Sequence, residues 1–275
     1  MKPPYDATSH YDRVTEAWTL LLGEDLHVGV FDDDGEDLAT ATGRLTTLMV
    51  EAAQIGEGLE VLDVGCGTGA PACLLAAEYR ARVTGITPSA VGVSAARARA
   101  AAAGVADAVF EQRDGTESGF PDASFDRVWV LESSHLMRRR DRLVAECGRV
   151  LRRGGRLALC DFVLRRPVPF DEVRRLRGRL GLLRDVFGDA RMEPLDRYEE
   201  LAAANGFHVD RRLDLTAETR PTFRRWIENA DRHRDALIGS IGESGWSDFV
   251  EACKVLASFW DDGTLGYGLL AAVKG

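Results

Sequence analysis

The sequence predicts an α/β fold, a doubly wound and mostly parallel seven-stranded sheet with a helical segment before it and helical insertions near its end. Short apolar runs alternate with stretches of helical periodicity between residues 59 and 164. Such alternation is typical of βαβ units, whose crossovers are right-handed. The chain has 275 residues, of which 45% are hydrophobic and 29% charged. That is enough to bury the core of one large domain, or of one domain with an inserted cap.

The elements of the sheet follow one another at regular spacing. Each apolar run ends at a turn signal, and the helix "LDRYEELAAANG" ends on the C-cap pair Asn205 and Gly206. We expect strands at 59–64, 82–86, 108–112, 125–131, 156–163, 207–215 and 266–275. We expect helices between the first five of these strands at about 70–79, 89–103 and 140–151.

The segments that flank the sheet are predicted to be helical as well. A helix starts near Tyr11 in "YDRVTEAWTLLLG", the acidic stretch "VFDDDGED" is typical of a loop, and another helix is expected at about 38–54. Two further helices are expected at about 219–238 and 246–260. We therefore divide the chain into an N-terminal helical lid (1–58), a core (59–164), a helical insertion (165–191) and the rest of the core with cap helices (192–275, the cap at about 217–262).

Charge and cysteine usage exclude several classes of protein. The net charge of -9 argues against binding to nucleic acid, which requires a basic surface. The start of the chain lacks the apolar core of a signal peptide, and no apolar run reaches the roughly 18 residues of a membrane span. Five scattered cysteines without a CxxC pair indicate reduced thiols and neither disulfides nor a zinc site. We expect a cytoplasmic protein that acts on small molecules, with no membrane partner.

The stretch "VLDVGCGTG" is a strand that ends in glycines and opens a helix. Glycines let a ligand approach the backbone closely, and the start of a helix offers free N–H groups. Gly65, Gly67 and Ala70 satisfy the dinucleotide pattern G-x-G-x-x-A. However, Asp63 would repel a pyrophosphate, and "VTGITPS" after the second strand lacks the acid that dinucleotide folds place on the ribose. The loop is better suited to the cationic end of an amino acid.

At these residues the chain resembles the class I S-adenosylmethionine (SAM) methyltransferases. "VLDVGCGTG" is similar to their first motif, "FPDASFDRVWVLES" to their strand-four motif, and "RVLRRGGRLALCDF" to a later motif, in the order and spacing of the family. The N-terminal "LHVGVF" resembles a segment of the small-molecule methyltransferases of natural-product and antibiotic pathways. The resemblance implies a Rossmann-like fold, SAM as the cofactor, S-adenosylhomocysteine as the product, and a small secondary metabolite as the methyl acceptor.

The resemblance also implies which residues hold the cofactor. Asp63 and the glycine loop match the positions around the methionine end, and Leu131 matches the position whose carbonyl faces the methionine amine. Thr87 stands where most members carry the acid that binds the ribose, and Asp114 matches the acid that binds the adenine amine. Tyr11 resembles an aromatic residue that closes over the cofactor. The full set is Tyr11, Asp63, Gly65, Cys66, Gly67, Gly69, Thr87, Pro88, Asp114, Gly115 and Leu131.

One histidine and one aspartate are predicted to be catalytic. His135 follows the fourth strand and Asp161 lies near the end of the fifth, and ligands of such sheets bind at the carboxyl ends of the strands. Transfer of a methyl group to an alcohol requires a base, which histidine supplies near neutral pH, and a nearby carboxylate would orient it and raise its pKa. Sugar O-methyltransferases of the subgroup carry a second histidine where Leu136 stands, so a purely structural hydrogen bond from His135 stays open. Metal-dependent members would require several carboxylates and an asparagine near these two strands, and of these only Asp161 is present, so no metal is implied.

The acceptor itself leaves less of a pattern. His27, Phe31, Phe223 and Trp226 are predicted to contact it. O-methylation of a hydroxyl is the leading hypothesis. C-methylation of a prenyl or alkene carbon, with aromatic rings that stabilise a carbocation, is an alternative, as is a non-catalytic SAM-binding scaffold or sensor. Arginines 138–140 are expected to begin the next helix on its solvent side.

Overall fold

Seven strands form one sheet in the order β3-β2-β1-β4-β5-β7-β6. The computed structural model describes residues 17–275, so the predicted contacts of Tyr11 lie outside the described residues. The strands are β1 Glu60–Val64, β2 Arg82–Thr87, β3 Ala108–Gln112, β4 Phe125–Leu131, β5 Leu151–Leu164, β6 Phe207–Asp214 and β7 Leu265–Lys274. All seven overlap the strands expected from the sequence.

The helices follow the expected order. They are α1 Leu38–Ala53, α2 Ala70–Tyr79, α3 Ala90–Ala103, α4 Arg140–Val150, α5 Phe170–Arg175, α6 Arg177–Phe187, α7 Leu195–Ala204, α8 Thr216–Thr219, α9 Thr222–Arg232 and α10 Arg234–Asp261. Residues 17–22 are helical too, and Ser134–Leu136 form one turn of 3₁₀ helix. Helices α5 and α6 occupy the predicted insertion, and neither contains a buried residue.

Strand β1 lies at the centre of the parallel part of the sheet. Asp63 pairs in register with Gly85 of β2 on one side and with Trp129 of β4 on the other. Strands β3 and β5 extend this part outward, again in parallel pairs. The strand order reverses between β1 and β4, which is the point where ligands bind in doubly wound sheets. The predicted fold class is confirmed.

Two boundaries differ from the sequence expectation. Strand β5 begins at Leu151, five positions before the expected start at 156, because its first residues pair with β4 across a register shift between Phe125 and Arg127. The two predicted C-terminal helices divide differently, into α9 and the long α10, which is interrupted at Gly242 with φ 76° and ψ 165°. Glycine adopts such a positive φ readily, and this one residue kinks α10, which continues on both sides of it.

The described chain divides into two compact units. One contains residues 46–161, 195–213 and 268–275, and with them most of the sheet. Its core consists of fully buried strand residues, among them Leu62, Val128, Trp129 and Leu159. The division into lid, core, insertion and cap that we predict from the sequence stays a prediction.

The other unit contains residues 17–45, 162–194 and 214–267. Aromatic rings fill its core in edge-on contacts, which suit the charge distribution of the rings. Phe223 lies 4.8 Å from Trp260 and Phe187 lies 5.6 Å from Trp18, measured between ring centroids. Trp226 contacts both Phe223 and Phe187. This packing gives the helices α6, α9 and α10 a common apolar core.

Within residues 17–275, no helix is both long enough and apolar enough to cross a lipid bilayer.

Candidate active site

The glycine loop after β1 is held by close packing on both sides. Gly65 and Gly69 adopt positive φ angles of 85° and 79°. A Cβ atom on Gly65 would lie 2.2 Å from Cβ of Ser133, and one on Gly69 would lie 2.7 Å from Cβ of Ala96. A Cβ on Gly67 would meet no atom of the described residues within 4 Å. Packing therefore requires glycine at positions 65 and 69, whereas Gly67 leaves open space beside the backbone.

Asp63 is a buried acid near the end of β1. It is 2% exposed, and its Oδ2 atom has no hydrogen-bond partner within the described part of the chain. Burial raises the pKa of Asp63 to about 7. An isolated buried carboxylate is costly, and a cationic ligand group would relieve that cost. The site fits a ligand with an ammonium group next to the glycine loop.

The end of β2 carries hydroxyl groups and no acid. Thr87 is buried, and its Oγ1 accepts a hydrogen bond from the backbone N–H of Ser89 at 3.3 Å. Ser89 caps helix α3 by accepting from the N–H of Gly92 at 2.9 Å. The Nε2 atom of Gln112 donates to the carbonyl oxygen of Pro88 at 2.9 Å. Ser89 and Gln112 are neighbours of the predicted ribose position that our sequence reasoning missed.

Asp114 lies in a tight turn after β3. Its Oδ1 atom accepts hydrogen bonds from the N–H and the hydroxyl of Thr116, at 2.7 and 2.8 Å. The adjacent Gly115 is buried, and a Cβ there would lie 2.5 Å from Cγ1 of Val64. The turn thus fixes the Asp114 carboxylate and brings its backbone against β1. The adenine contact of Asp114 stays a prediction.

The segment after β4 packs directly on the glycine loop. The hydroxyl of Ser133 donates to the carbonyl of Val64 at 2.6 Å, which explains why position 65 has no room for a side chain. Between Leu131 and Ser133, Glu132 adopts a left-handed backbone with φ 46°. Such a conformation costs energy for a residue with a side chain and is concentrated at functional sites. Ser133 and Glu132 carry no distinctive pattern in the sequence.

His135 and Asp161 form a buried pair. Nδ1 of His135 lies 2.5 Å from Oδ1 of Asp161, and the backbone N–H of His135 donates to Oδ2 at 3.0 Å. Asp161 is completely buried and His135 nearly so. The expectation that adjacent strands bring these two residues to the same rim of the sheet is confirmed.

The pair shifts both pKa values in the direction of an ion pair. Burial by itself lowers the pKa of His135, but the charge of Asp161 and the hydrogen bond to it outweigh burial, so this pKa is raised. Burial raises the pKa of Asp161, but the charge and hydrogen bonds of His135 outweigh it, so this pKa is lowered. With Nδ1–H directed at the carboxylate, the lone pair of neutral His135 is on Nε2.

Arg140 corrects one expectation. We predicted that residues 138–140 lie on the solvent side of the next helix, but Arg140 is buried, and its Nη2 atom donates to the carbonyl oxygen of His135 at 3.1 Å. Helix α4 begins at Arg140, so its first side chain points toward the 3₁₀ turn that carries His135. The Nε atom of Arg140 is buried with no hydrogen-bond partner among the described residues. The other two arginines are not buried.

The four predicted acceptor contacts all lie in the compact unit made of residues 17–45, 162–194 and 214–267. His27 and Phe31 are buried, and Nδ1 of His27 lies 2.8 Å from the carbonyl oxygen of Val28. Burial lowers the pKa of His27. Phe223 and Trp226 are also buried, and their ring centroids are 5.8 Å apart. Such burial is that of core residues, and their contact with an acceptor stays a prediction.

Side chains that could bind a metal are scattered across residues 17–275. No group of three or more His, Cys, Asp or Glu side chains is placed there to hold a metal ion. All five cysteines are free and buried.

The chain is similar to known methyltransferases over nearly its whole length. The family model "Methyltransferase domain" matches residues 62–159. The 27-O-demethylrifamycin SV methyltransferase of Amycolatopsis mediterranei is 36% identical over 273 residues, which cover 98% of this chain and 97% of that protein. The match therefore includes both compact units.

Two solved structures share the fold over nearly the whole chain. The [4+2]-cyclase SpnF is 28% identical with a TM-score of 0.82, covering 97% of this chain and 95% of that one. The mycolic acid cyclopropane synthase CmaA1, in complex with S-adenosylhomocysteine (SAH), is 20% identical with a TM-score of 0.88, covering 100% and 99%. At that identity the second likeness concerns the fold alone.

Proposed function

We propose that this chain, which belongs to the class I SAM-dependent methyltransferases of natural-product pathways, methylates a hydroxyl oxygen of a small secondary metabolite with His135 as the general base. The observation that carries this proposal is the 2.5 Å contact between Nδ1 of His135 and Oδ1 of Asp161. The contact leaves Nε2 of the neutral imidazole as the proton acceptor.

The cofactor fits the residues after β1 and β4. The buried Oδ2 of Asp63, which has no partner among the described residues, suits the ammonium of the methionine end. The space beside Gly67 admits a ligand against the backbone, and Leu131 would offer its carbonyl. Bound SAM supplies an electrophilic methyl group and leaves as S-adenosylhomocysteine. Thr87, Pro88, Asp114 and Gly115 are proposed for the ribose and adenine.

The chain's own part in the chemistry is to hold and move one proton. When the acceptor oxygen takes the methyl group that bound SAM would supply, the hydroxyl proton would go to Nε2 of His135. The imidazolium that results faces the Asp161 carboxylate, which stabilises its charge. A base of this kind accounts for roughly a 10²- to 10⁴-fold increase in rate.

The relative from Amycolatopsis mediterranei supports a hydroxyl acceptor, because its name gives 27-O-demethylrifamycin SV as the molecule that it methylates. The 28% identity to a [4+2]-cyclase means that methyl transfer must be assayed directly. His27, Phe31, Phe223 and Trp226 remain the proposed acceptor contacts.

The test is methyl transfer from SAM to a panel of hydroxylated and prenylated metabolites that includes 27-O-demethylrifamycin SV. We expect His135→Ala to lower kcat roughly 10²- to 10⁴-fold without a change in the Kd for SAM. His208→Ala, on the exposed face of β6, is the matched control and should keep full activity.

Each other outcome contradicts one part of the proposal. Retained turnover by His135→Ala would remove the base and favour C-methylation, which needs none. SAM binding without turnover of any acceptor would indicate a scaffold or sensor. Absence of SAM binding would refute the cofactor assignment.

A further inference from the structure

A chain of buried polar side chains extends from Asp161 away from His135. The Ser134 hydroxyl lies 2.5 Å from Oδ2 of Asp161, and the Tyr198 hydroxyl lies 2.7 Å from Oγ of Ser134. Ser134 and Tyr198 are fully buried. Tyr198 belongs to helix α7 and is 64 positions from Ser134 in sequence. The carboxylate of β5, a hydroxyl of the 3₁₀ turn and a phenol of α7 therefore form one hydrogen-bonded row.

The direction of each hydrogen bond in this chain follows from chemistry. The Asp161 carboxylate only accepts, so the single hydroxyl hydrogen of Ser134 is donated to Oδ2. Oγ of Ser134 must then accept, which makes Tyr198 the donor. The neutral phenol is the form that can donate, and burial together with the charge of Asp161 raises the pKa of Tyr198 to about 12.

Arg140 lies beside the same turn. It is buried, and its Nη2 donates to the carbonyl oxygen of His135 at 3.1 Å. Its positive charge also acts on the Tyr198 hydroxyl. A hydrogen-bonded row such as Tyr198, Ser134 and Asp161 polarises each member in the same direction.

We propose that Ser134 and Tyr198 are positioning residues that fix the Asp161 carboxylate and, through it, the protonation state and orientation of His135, whose backbone carbonyl Arg140 holds. The inference rests on the proposed role of His135 as a base. Hydrogen bonds to Oδ2 draw negative charge away from Oδ1, which weakens the attraction of Asp161 for the imidazolium. The chain therefore keeps His135 deprotonated to a lower pH than an unsupported carboxylate would allow.

The charged and titratable groups that act on His135 come from each element packed around it. Asp161 of β5 and Glu132 at the end of β4 favour the imidazolium, whereas Arg140 of α4 opposes it. Tyr198 of α7 acts on Asp161 through Ser134. Removal of the Ser134 hydroxyl leaves all these charges in place and removes two hydrogen bonds, the one to Asp161 and the one from Tyr198.

The test is to titrate His135 by nitrogen NMR in the full-length protein with added S-adenosylhomocysteine, which requires no acceptor. We expect Ser134→Ala to raise the pKa of His135 by roughly one unit. Loss of the charge-assisted hydrogen bond to Oδ2 of Asp161 leaves more negative charge on Oδ1, which faces the imidazole. Tyr198→Phe should raise this pKa by less. Ser134→Thr keeps the hydroxyl and should restore the wild-type titration.

Turnover supplies the second readout. In Ser134→Ala, kcat/KM should fall roughly 5- to 10-fold near pH 7 and recover at high pH, because the base is then deprotonated. A purely structural role would lower the rate equally at every pH. Ser124→Ala, which loses a hydroxyl bound to the carbonyl of Pro121 on the same unit, is the matched control.

An unchanged pKa of His135 in both Ser134→Ala and Tyr198→Phe would overturn the inference. If Ser134→Ala does not fold, Tyr198→Phe, which retains the ring, decides alone. The titration also separates this inference from the proposed function. A shifted pKa in Ser134→Ala together with full activity in His135→Ala would keep the hydrogen-bonded chain and reject the base.

Discussion

Nδ1 of His135 and Oδ1 of Asp161 are 2.5 Å apart, although the residues are separated by 26 positions in sequence, with His135 after β4 and Asp161 within β5. Parallel pairing of β4 and β5, with Leu131 opposite Cys160, brings them together. The pair is buried, so its energetics differ from those of a surface salt bridge, which contributes little. Much of the behaviour of this protein with pH follows from it.

Activity should depend on the protonation of His135. Because the pKa of His135 is raised, kcat/KM should increase as the pH rises through that pKa and then become constant. In Asp161→Asn the carboxylate charge is absent while burial remains, so the acid limb should move to lower pH as the rate falls. Steady-state kinetics across this range measures both changes, and an acid limb that keeps its position would contradict them.

Stability should carry the signature of the same pair. The raised pKa of His135 contributes stability that is present below its ordinary value near 6.5 and is lost as the pH rises through the folded value. The lowered pKa of Asp161 contributes stability above about 3.9 that is lost as the pH falls. Removal of one partner from a buried pair costs about 3–5 kcal/mol.

Urea unfolding of Asp161→Asn should therefore show its largest loss in the free energy of unfolding near pH 5.5 and a smaller loss near pH 9. Asp141→Asn breaks an exposed ion pair with Arg139 and is the matched control, with little loss at either pH. Equal losses for Asp161→Asn at both pH values would show that the ion pair does not form.

Asp63 should lower the free energy of unfolding of the cofactor-free protein and strengthen the binding of SAM. With its pKa raised to about 7, the folded protein retains a proton that the unfolded chain releases, so stability falls as the pH rises from about 3.9 to 7. The cost at higher pH is roughly 4 kcal/mol, at 1.36 kcal/mol for each unit.

Asp63→Asn should accordingly raise the melting temperature at pH 8.5 while it weakens SAM binding about 10- to 100-fold, the value of a charge-assisted hydrogen bond. Calorimetric melting and titration measure the two effects, with the exposed Asp107→Asn as the control. A lower melting temperature, or an unchanged Kd, would show that Asp63 has another partner.

Substitutions of two loop glycines should have different effects, one on SAM affinity and the other on the stability of the fold. Gly67→Ala places a methyl group where no described atom lies within 4 Å, at φ 53°, and should cost only about 1–2 kcal/mol of stability. It should still weaken SAM binding at least 10-fold, because the methyl group occupies the space beside the backbone. Gly65→Ala collides with Ser133 and should destabilise the fold itself. Wild-type SAM affinity in Gly67→Ala would exclude that position from the cofactor site.

Short stretches of the sequence were sufficient to predict the strands of the sheet and three residues of the candidate site, Asp63, His135 and Asp161. The alternation of apolar runs with helical periodicity predicted seven strands, and Asp63 stood out as an acid inside a buried strand before a glycine loop. His135 and Asp161 could be predicted together because parallel strands end at a common rim, a rule that depends only on strand order. Each of these signals is contained in a short stretch of sequence.

The sequence by itself therefore determined the fold class, the glycine loop after β1 and the two residues of the buried pair. Tertiary structure alone decided that Ser134, Tyr198 and Arg140 support that pair. In sequence, Tyr198 is an ordinary aromatic residue of an amphipathic helix, and Arg140 belongs to a run of three arginines that suggests solvent. Whether such side chains turn inward depends on which buried groups lie opposite them, and packing between distant segments sets that.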